Sequence, residues 1–347
     1  KFARICSARP STRSMNIAGE KTPSFSVTHE KQIFHCFGCG KGGNVITFLK
    51  EIENISFQEA VRTLADRSGV KLPKTLTSNT VYSESSDQLF EAYRWLSKLY
   101  HHLLKYTKDG KTAIQYLKDR GIVEESINTF QLGFAPITDE FTAKFLEKKG
   151  FDRSFLVKSG LLSLRDDHTA FDRFRGRVIF PIRNHLGKPI AFGGRTITDQ
   201  EPKYLNSPEN DLFHKSKILF NFDLAKKHIR KKREAILFEG YIDVISAYQA
   251  NIKNVIATLG TSMSMHQARL IKRYVDKVII CYDADQAGIN ATYQTAKLLL
   301  DTGCEVYVAN LNEGMDPDGF IRKYGGRAFE EEVVKSSDMF IKFYMNN

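Results

Sequence analysis

Cysteine is scarce and badly placed for crosslinking. The 347 residues hold five, Cys6, Cys36, Cys39, Cys281 and Cys304, of which only Cys36 and Cys39 stand close together. That usage argues against a disulfide framework and reads as metal binding in a reducing cytoplasm. Long apolar runs are missing as well: none approaches the roughly 18 residues that a membrane span needs. Lys1 to Asn16 lack the apolar centre of a secretory signal, so nothing there points to export. Internal repeats and low-complexity tracts are absent.

What the chain has in excess is positive charge. Lys and Arg number 51 against 40 Asp and Glu, a formal charge of +11. Such an excess suits a polyanionic partner without naming one. Apolar residues make up 42% and charged residues 26%, ordinary for a folded protein, and the length allows two or three domains.

Periodicity divides the chain. Residues 1–73 are turn-rich and then helical, with Phe57, Ala60, Val61, Leu64 and Ala65 at helical spacing. Residues 74–87 thin into Thr, Ser and Asn and read as a linker. Leu89 to Leu104 is a helix with Phe90, Tyr93, Leu96, Tyr100 and Leu103 on one side. Short helices follow, broken at Gly121, Pro136 and Gly150, and then strands at Arg177–Ile182 and Pro189–Phe192. The run Lys226 to Arg233 reads as a solvated helix end. From Glu234, apolar runs at Ala235–Phe238, Val255–Ala257, Val278–Tyr282 and Val306–Ala309 alternate with helical segments. That alternation predicts a parallel sheet flanked by helices, in a chain that is α/β there and α+β overall.

Ligands of open parallel sheets bind beyond the carboxyl ends of the strands. Three of those ends carry acids: Glu239, then Asp283 with Asp285, then Asp316 with Asp318. Five carboxylates at one edge repel one another unless cations lie between them, and hard oxygen ligands suit magnesium. Any one of these acids would more simply cap a helix, but three such placements on one sheet favour a metal site. Gly240 and Gly288 open helices at the same edge, where a side chain would keep a ligand from the backbone amides.

The strings "FEGYIDVI" from Phe238 and "YDADQAG" from Tyr282 resemble the Toprim fold shared by bacterial primases, topoisomerases and some nucleases. The preceding region narrows the choice. "RFRGRVIFPI" from Arg173, "GGR" from Gly193, "KYLNSPE" from Lys203 and "HKSKILF" from His214 resemble the catalytic core of bacterial replicative primases of the DnaG type. "TLGTSMS" from Thr258 and "MDPDGFIRKYGG" from Met315 match the same family. The likeness runs from about Glu20 to the end, in the family's order.

The resemblance implies a nucleotidyltransferase that makes short RNA primers from ribonucleoside triphosphates on single-stranded DNA, in the bacterial cytoplasm at the replisome. It divides the chain into a zinc-ribbon-like module (1–73), the linker, a mixed α/β basic subdomain (88–233), a Toprim subdomain (234–330) and the start of a helical subdomain (331–347). It makes Glu239, Asp283 and Asp285 the essential ligands of Mg2+, or Mn2+, with Asp316 and Asp318 in the same acidic cluster. Arg173, Arg175, Arg195, Lys203 and Lys215 would line the face that holds template or triphosphate. Tyr204 would stack there, and Asn206 would bond a base or sugar or else make a turn.

The resemblance breaks at the start. "FHCFGCGKGGN" from Phe34 and "EKTPSF" from Glu20 match the family's zinc module, but its first Cys and His have no counterpart just before Glu20. Cys6 is too far upstream, and His35 adjoins Cys36 too closely to share a tetrahedral metal with it. Zinc is thus expected of the family, whereas Cys36 and Cys39 of this chain are expected to remain thiols. Family members also continue beyond the point matching Asn347 into a helicase-binding domain, so the expectation is a fragment without helicase docking. The rival readings are a Toprim nuclease or topoisomerase-like enzyme, and a non-catalytic DNA-binding scaffold.

Overall fold

A strand alternates its side chains, and that alone builds the first hairpin. β1 (Phe25–Thr28) pairs antiparallel with β2 (Ile33–Cys36), setting Phe25 opposite Cys36, and β3 (Gly42–Asn44) adds to the other side of β2. Phe25, Phe34, Cys36 and Phe48 form one buried cluster, with the Phe25 and Phe34 rings 5.4 Å apart. Asn44 ends β3 and caps α1 (Val45–Glu53): its side-chain oxygen accepts from the Ile46 and Thr47 amides, both at 3.0 Å. α2 (Phe57–Ser68) follows. The computed structural model describes residues 25–37, 40–53, 57–70, 84–198, 200–260, 262–309, 311 and 315–346.

These elements belong to one compact unit, Lys1–Ser83, and the rest of the chain to a second, Glu84–Asn347. The second opens on α3 (Glu84–Tyr106), which begins inside the stretch that the sequence assigns to a linker. Tyr93, Leu96, Tyr100 and Leu103 are buried along it, as their spacing predicts, whereas Phe90 is only half-buried and its neighbour Leu89 is buried. α4 (Lys108–Asp119), α5 (Glu124–Phe130), β4 (Gly133–Ala135), α6 (Phe141–Lys148), α7 (Arg153–Lys158) and the hairpin β5 (Leu162–Leu164)–β6 (Ala170–Asp172) lead to the first large sheet. There β7 (Arg177–Arg183) and β8 (Pro189–Thr196) lie between β4 and β9 (Tyr204–Asn206), all antiparallel.

α8 (Phe222–Lys232) delivers the chain to the second sheet, ordered β11-β10-β12-β13-β14. β10 (Glu234–Phe238), β11 (Val255–Ala257), β12 (Lys277–Ile280) and β13 (Glu305–Val308) are parallel, so their carboxyl ends share one edge. Their residues are buried almost throughout, because α9 (Tyr241–Gln249), α10 (Met265–Lys272), α11 (Gln286–Asp301) and α12 (Pro317–Ala328) supply the flanking helices. β14 (Asp338–Met339) joins antiparallel, and α13 (Phe340–Asn346) follows. The fold is thus the expected mixed α/β one, with a parallel sheet flanked by helices.

The two sheets of this unit meet through aromatics. Tyr241 at the start of α9 stacks on Phe180 of β7 at 5.2 Å and meets Phe220 edge-on at 4.8 Å. Gly193 makes that approach possible, since a Cβ there would stand 2.6 Å from the Tyr241 ring. Among the described residues no helix is long and apolar enough to cross a membrane.

Candidate active site

The carboxyl edge of the parallel sheet gathers the acids. Glu239 follows β10, Asp283 and Asp285 follow β12, and Asp316 follows β13 as the N-cap of α12. Burial first, and then the charges of Asp283 and Asp285, push the Glu239 carboxyl up to about 7. Asp283 is raised by burial of its carboxyl, then by Asp316 and Asp285. The Glu239 Oε1 atom is buried with no hydrogen-bond partner. A buried carboxylate oxygen left bare beside two more acids is the environment that a divalent cation relieves, so the donor set fits Mg2+ or Mn2+. Among the described residues no three acids, histidines or cysteines converge as a ready-made metal cage.

Two acids do cap helices. The Asp285 side chain accepts from the Gly288 amide at 2.7 Å, and Asp316 from the Gly319 amide at 2.6 Å. Each cap uses one oxygen and leaves the other. The reading of Gly288 as an opening for a ligand needs correction, because that amide is taken by Asp285. A Cβ at Gly288 would instead strike the Asp283 carbonyl at 2.1 Å, so glycine here lets the acidic loop fold tightly.

Asp318, which the sequence adds to the acidic cluster, does lie beside Asp243 there, but it is 1% exposed and both its carboxylate oxygens are engaged. Oδ1 accepts from Ser246, and Oδ2 pairs with Arg322 at 3.1 Å and Arg120 at 3.5 Å. The acid that sequence reasoning missed is Asp243, one helical turn past Glu239 on α9. Its Oδ1 accepts from the Asp318 amide at 3.1 Å, and burial and then Asp283 raise its carboxyl. The signal was available: Asp243 stands within "FEGYIDVI", four residues after Glu239.

The basic residues part company as well. Lys203 is exposed on the approach to β9, and Lys215 is half-exposed at the start of a short 3-10 turn. Arg173 turns inward and donates to the Asn206 carbonyl at 3.2 and 2.9 Å. Arg175 pairs with Asp139 and covers the Phe171 ring at 4.5 Å. Arg195 is buried, donates to the Tyr116 hydroxyl at 3.1 Å and lies 4.9 Å from the Tyr204 ring. Asn206 is committed within the protein: its amide donates to Leu259 and its oxygen accepts from Tyr241 at 2.6 Å. Its side chain therefore joins the two sheets and is not aimed at a ligand. Arg177, unassigned from sequence, is buried and donates to the Pro202 carbonyl at 2.8 Å, fixing the loop that carries Lys203.

The zinc expectation rests partly outside the described residues, where Cys6 and Cys39 lie. Cys36 faces the phenylalanine cluster of the first unit, while His35 points to the opposite, exposed side of β2 beside Phe37. The described residues therefore do not make a zinc donor set.

Three family models match in sequence: the CHC2 zinc finger over residues 16–80, the N-terminal domain of the DNA primase catalytic core over 99–226, and a Toprim-like domain over 236–321. The DNA primase of Halalkalibacterium halodurans is 48% identical over 328 residues, covering 94% of this chain and 55% of that one. The DNA primase of Listeria monocytogenes is 48% identical over 329 residues, covering 92% and 52%. The chain thus spans about half the length of the curated relatives it matches. Among solved structures, the zinc-binding and RNA polymerase domains of Aquifex aeolicus primase share 35% identity at a TM-score of 0.70, over 97% of this chain and 81% of that one. A DnaG primase catalytic domain bound to single-stranded DNA shares 34% at 0.71, over 76% and 86%.

Proposed function

The chain belongs to the DnaG-type bacterial DNA primases, and from that premise we propose that it joins ribonucleotides into short RNA primers along a single-stranded DNA template. The observation that supports this reading best is the bare, buried oxygen of Glu239, whose carboxyl lies near the charges of Asp283 and Asp285 at the carboxyl edge of the sheet. Glu239, Asp283 and Asp285 hold Mg2+ or Mn2+, with the second oxygen of Asp316 beside them. When bound, the metal stabilises charge on the transferring phosphoryl group and the leaving pyrophosphate.

The chain's own residues position the reactants. Exposed Lys203 and half-exposed Lys215 attract template or triphosphate phosphates, and the exposed face of Tyr204 offers a surface on which a base stacks. Arg195 works from beneath, bracing Tyr204 against Tyr116. The titre of primer made by the full chain from labelled ribonucleotides, single-stranded DNA and Mg2+ tests the proposal. Template-dependent incorporation supports it; strand cutting without incorporation would replace it with a Toprim nuclease, and binding alone with a scaffold.

A further inference from the structure

Asp318 is buried, and both its carboxylate oxygens are engaged within the protein. Its partners come from both halves of the second unit. Ser246 lies on α9 and Arg322 on α12, both flanking the parallel sheet, whereas Arg120 ends α4 in the preceding subdomain. The same turn after α4 is gripped a second time. The Gln249 side chain, at the end of α9, donates to the Gly121 carbonyl at 2.8 Å and accepts from the Val123 amide and the Ser126 hydroxyl. Gly121 has φ +72, and a Cβ there would press on the Arg322 side chain at 3.1 Å, so the turn lies directly on α12. Through its amide Asp318 also holds the carboxylate of Asp243, which lies beside Asp283.

From this geometry, and resting on the primer-synthesis reading, we infer that Asp318 is a positioning residue: it latches the Arg120–Ser126 turn to α9 and α12 and so fixes the acidic edge relative to the basic subdomain that holds the reactants. A carboxylate so enclosed is stable only with its cations in place, which makes the latch specific to this pairing. Its purpose is register, since a displacement of about 1 Å between reacting groups costs on the order of a hundredfold in rate.

Two readouts on the full chain separate latch from ligand. In Mn2+ titrations followed by electron paramagnetic resonance, Asp283→Asn should weaken binding at least about tenfold. Asp318→Asn, Arg120→Ala and Gln249→Leu should each leave it within about twofold. In primer synthesis those three variants should lower kcat by about ten- to a hundredfold at unchanged half-saturating Mg2+ and unchanged template affinity. Arg120→Lys, which keeps the charge, should recover most of the loss, and Arg120→Ala with Asp318→Asn should be no worse than the worse single variant.

Mn2+ binding that falls in Asp318→Asn as far as in Asp283→Asn overturns the inference. So does wild-type kcat in both Arg120→Ala and Gln249→Leu, two partly exposed positions that decide the matter if Asp318→Asn does not fold. A wild-type chain that makes no primer overturns the functional reading instead, and the Mn2+ comparison then still decides whether Asp318 is a ligand.

Discussion

At the scale of single residues, charge and its neutralisation decide the outcome. Asp283→Asn or Asp285→Asn keeps the side-chain shape and removes a metal-binding charge, and metal stabilisation of transferring phosphates is worth several kcal/mol. Primer synthesis should fall by at least about a hundredfold while single-stranded DNA affinity holds; robust synthesis by either variant would remove these acids from the site. Glu239 adds a pH signature. Its carboxyl, raised to about 7, keeps a proton that a cation must displace. Mn2+ affinity should therefore drop as pH is lowered from 8 to 6, and Glu239→Gln should weaken that dependence without abolishing it, because the neighbouring Asp243 carboxyl is also raised to about 7. Stability moves the other way: with a folded pKa above its ordinary value, Glu239 stabilises the metal-free chain at low pH, and that contribution is lost as pH rises through about 7. The acids were legible because strand ends and spacing are written in the sequence. The fates of Arg173, Arg195 and Asn206 were not, because each is set by partners 33, 79 and 35 residues away in the chain.

At the scale of elements, periodicity located the strands and helices of the second unit, and close backbone packing set what it missed. β8 runs on to Thr196 through Gly193 and Gly194, a pair that reads as a strand end. Both are needed small, since a Cβ at Gly194 would meet the Phe174 ring at 2.7 Å as one at Gly193 would meet Tyr241. Gly110 gives the sharpest case. It lies in the first turn of α4, where its amide bonds to Thr107 Oγ1 at 3.1 Å and a Cβ would stand 2.2 Å from the Leu103 carbonyl. Alanine favours a helix over glycine by about 1 kcal/mol, but here the methyl group strikes backbone that cannot give way. Gly110→Ala should destabilise the chain by about 1–3 kcal/mol in urea unfolding, and Asp109→Ala in the same turn by no more than about 0.5 kcal/mol. Equal stability of the two variants would show that α3 and α4 part easily.

At the scale of the whole molecule, packing decides how many of the chain's many cations face solvent. Some of the chain's cations are spent inside the second unit, on carbonyls by Arg173 and Arg177 and on Asp318 by Arg120 and Arg322. Composition therefore overstated the cations free for nucleic acid. Lys203 is exposed, and Lys203→Ala should flatten the salt dependence of single-stranded DNA binding by about 0.7 in log–log slope. The first unit poses the metal question. A structural zinc closes with four Cys or His ligands. Of the closely spaced pair, Cys36 is buried in the cluster with Phe25, Phe34 and Phe48, and Cys39 lies outside the described residues. His35 cannot turn to the same face without slipping the register that pairs it with Ser26. Because the sequence just before Glu20 lacks the module's first Cys and His, the full chain, purified without added zinc, should carry well under one equivalent by elemental analysis, although a CHC2 zinc-finger model matches residues 16–80. One equivalent that vanishes in Cys36→Ser would show that residues before Phe25 close the site after all, and Cys6→Ser would then name the third ligand.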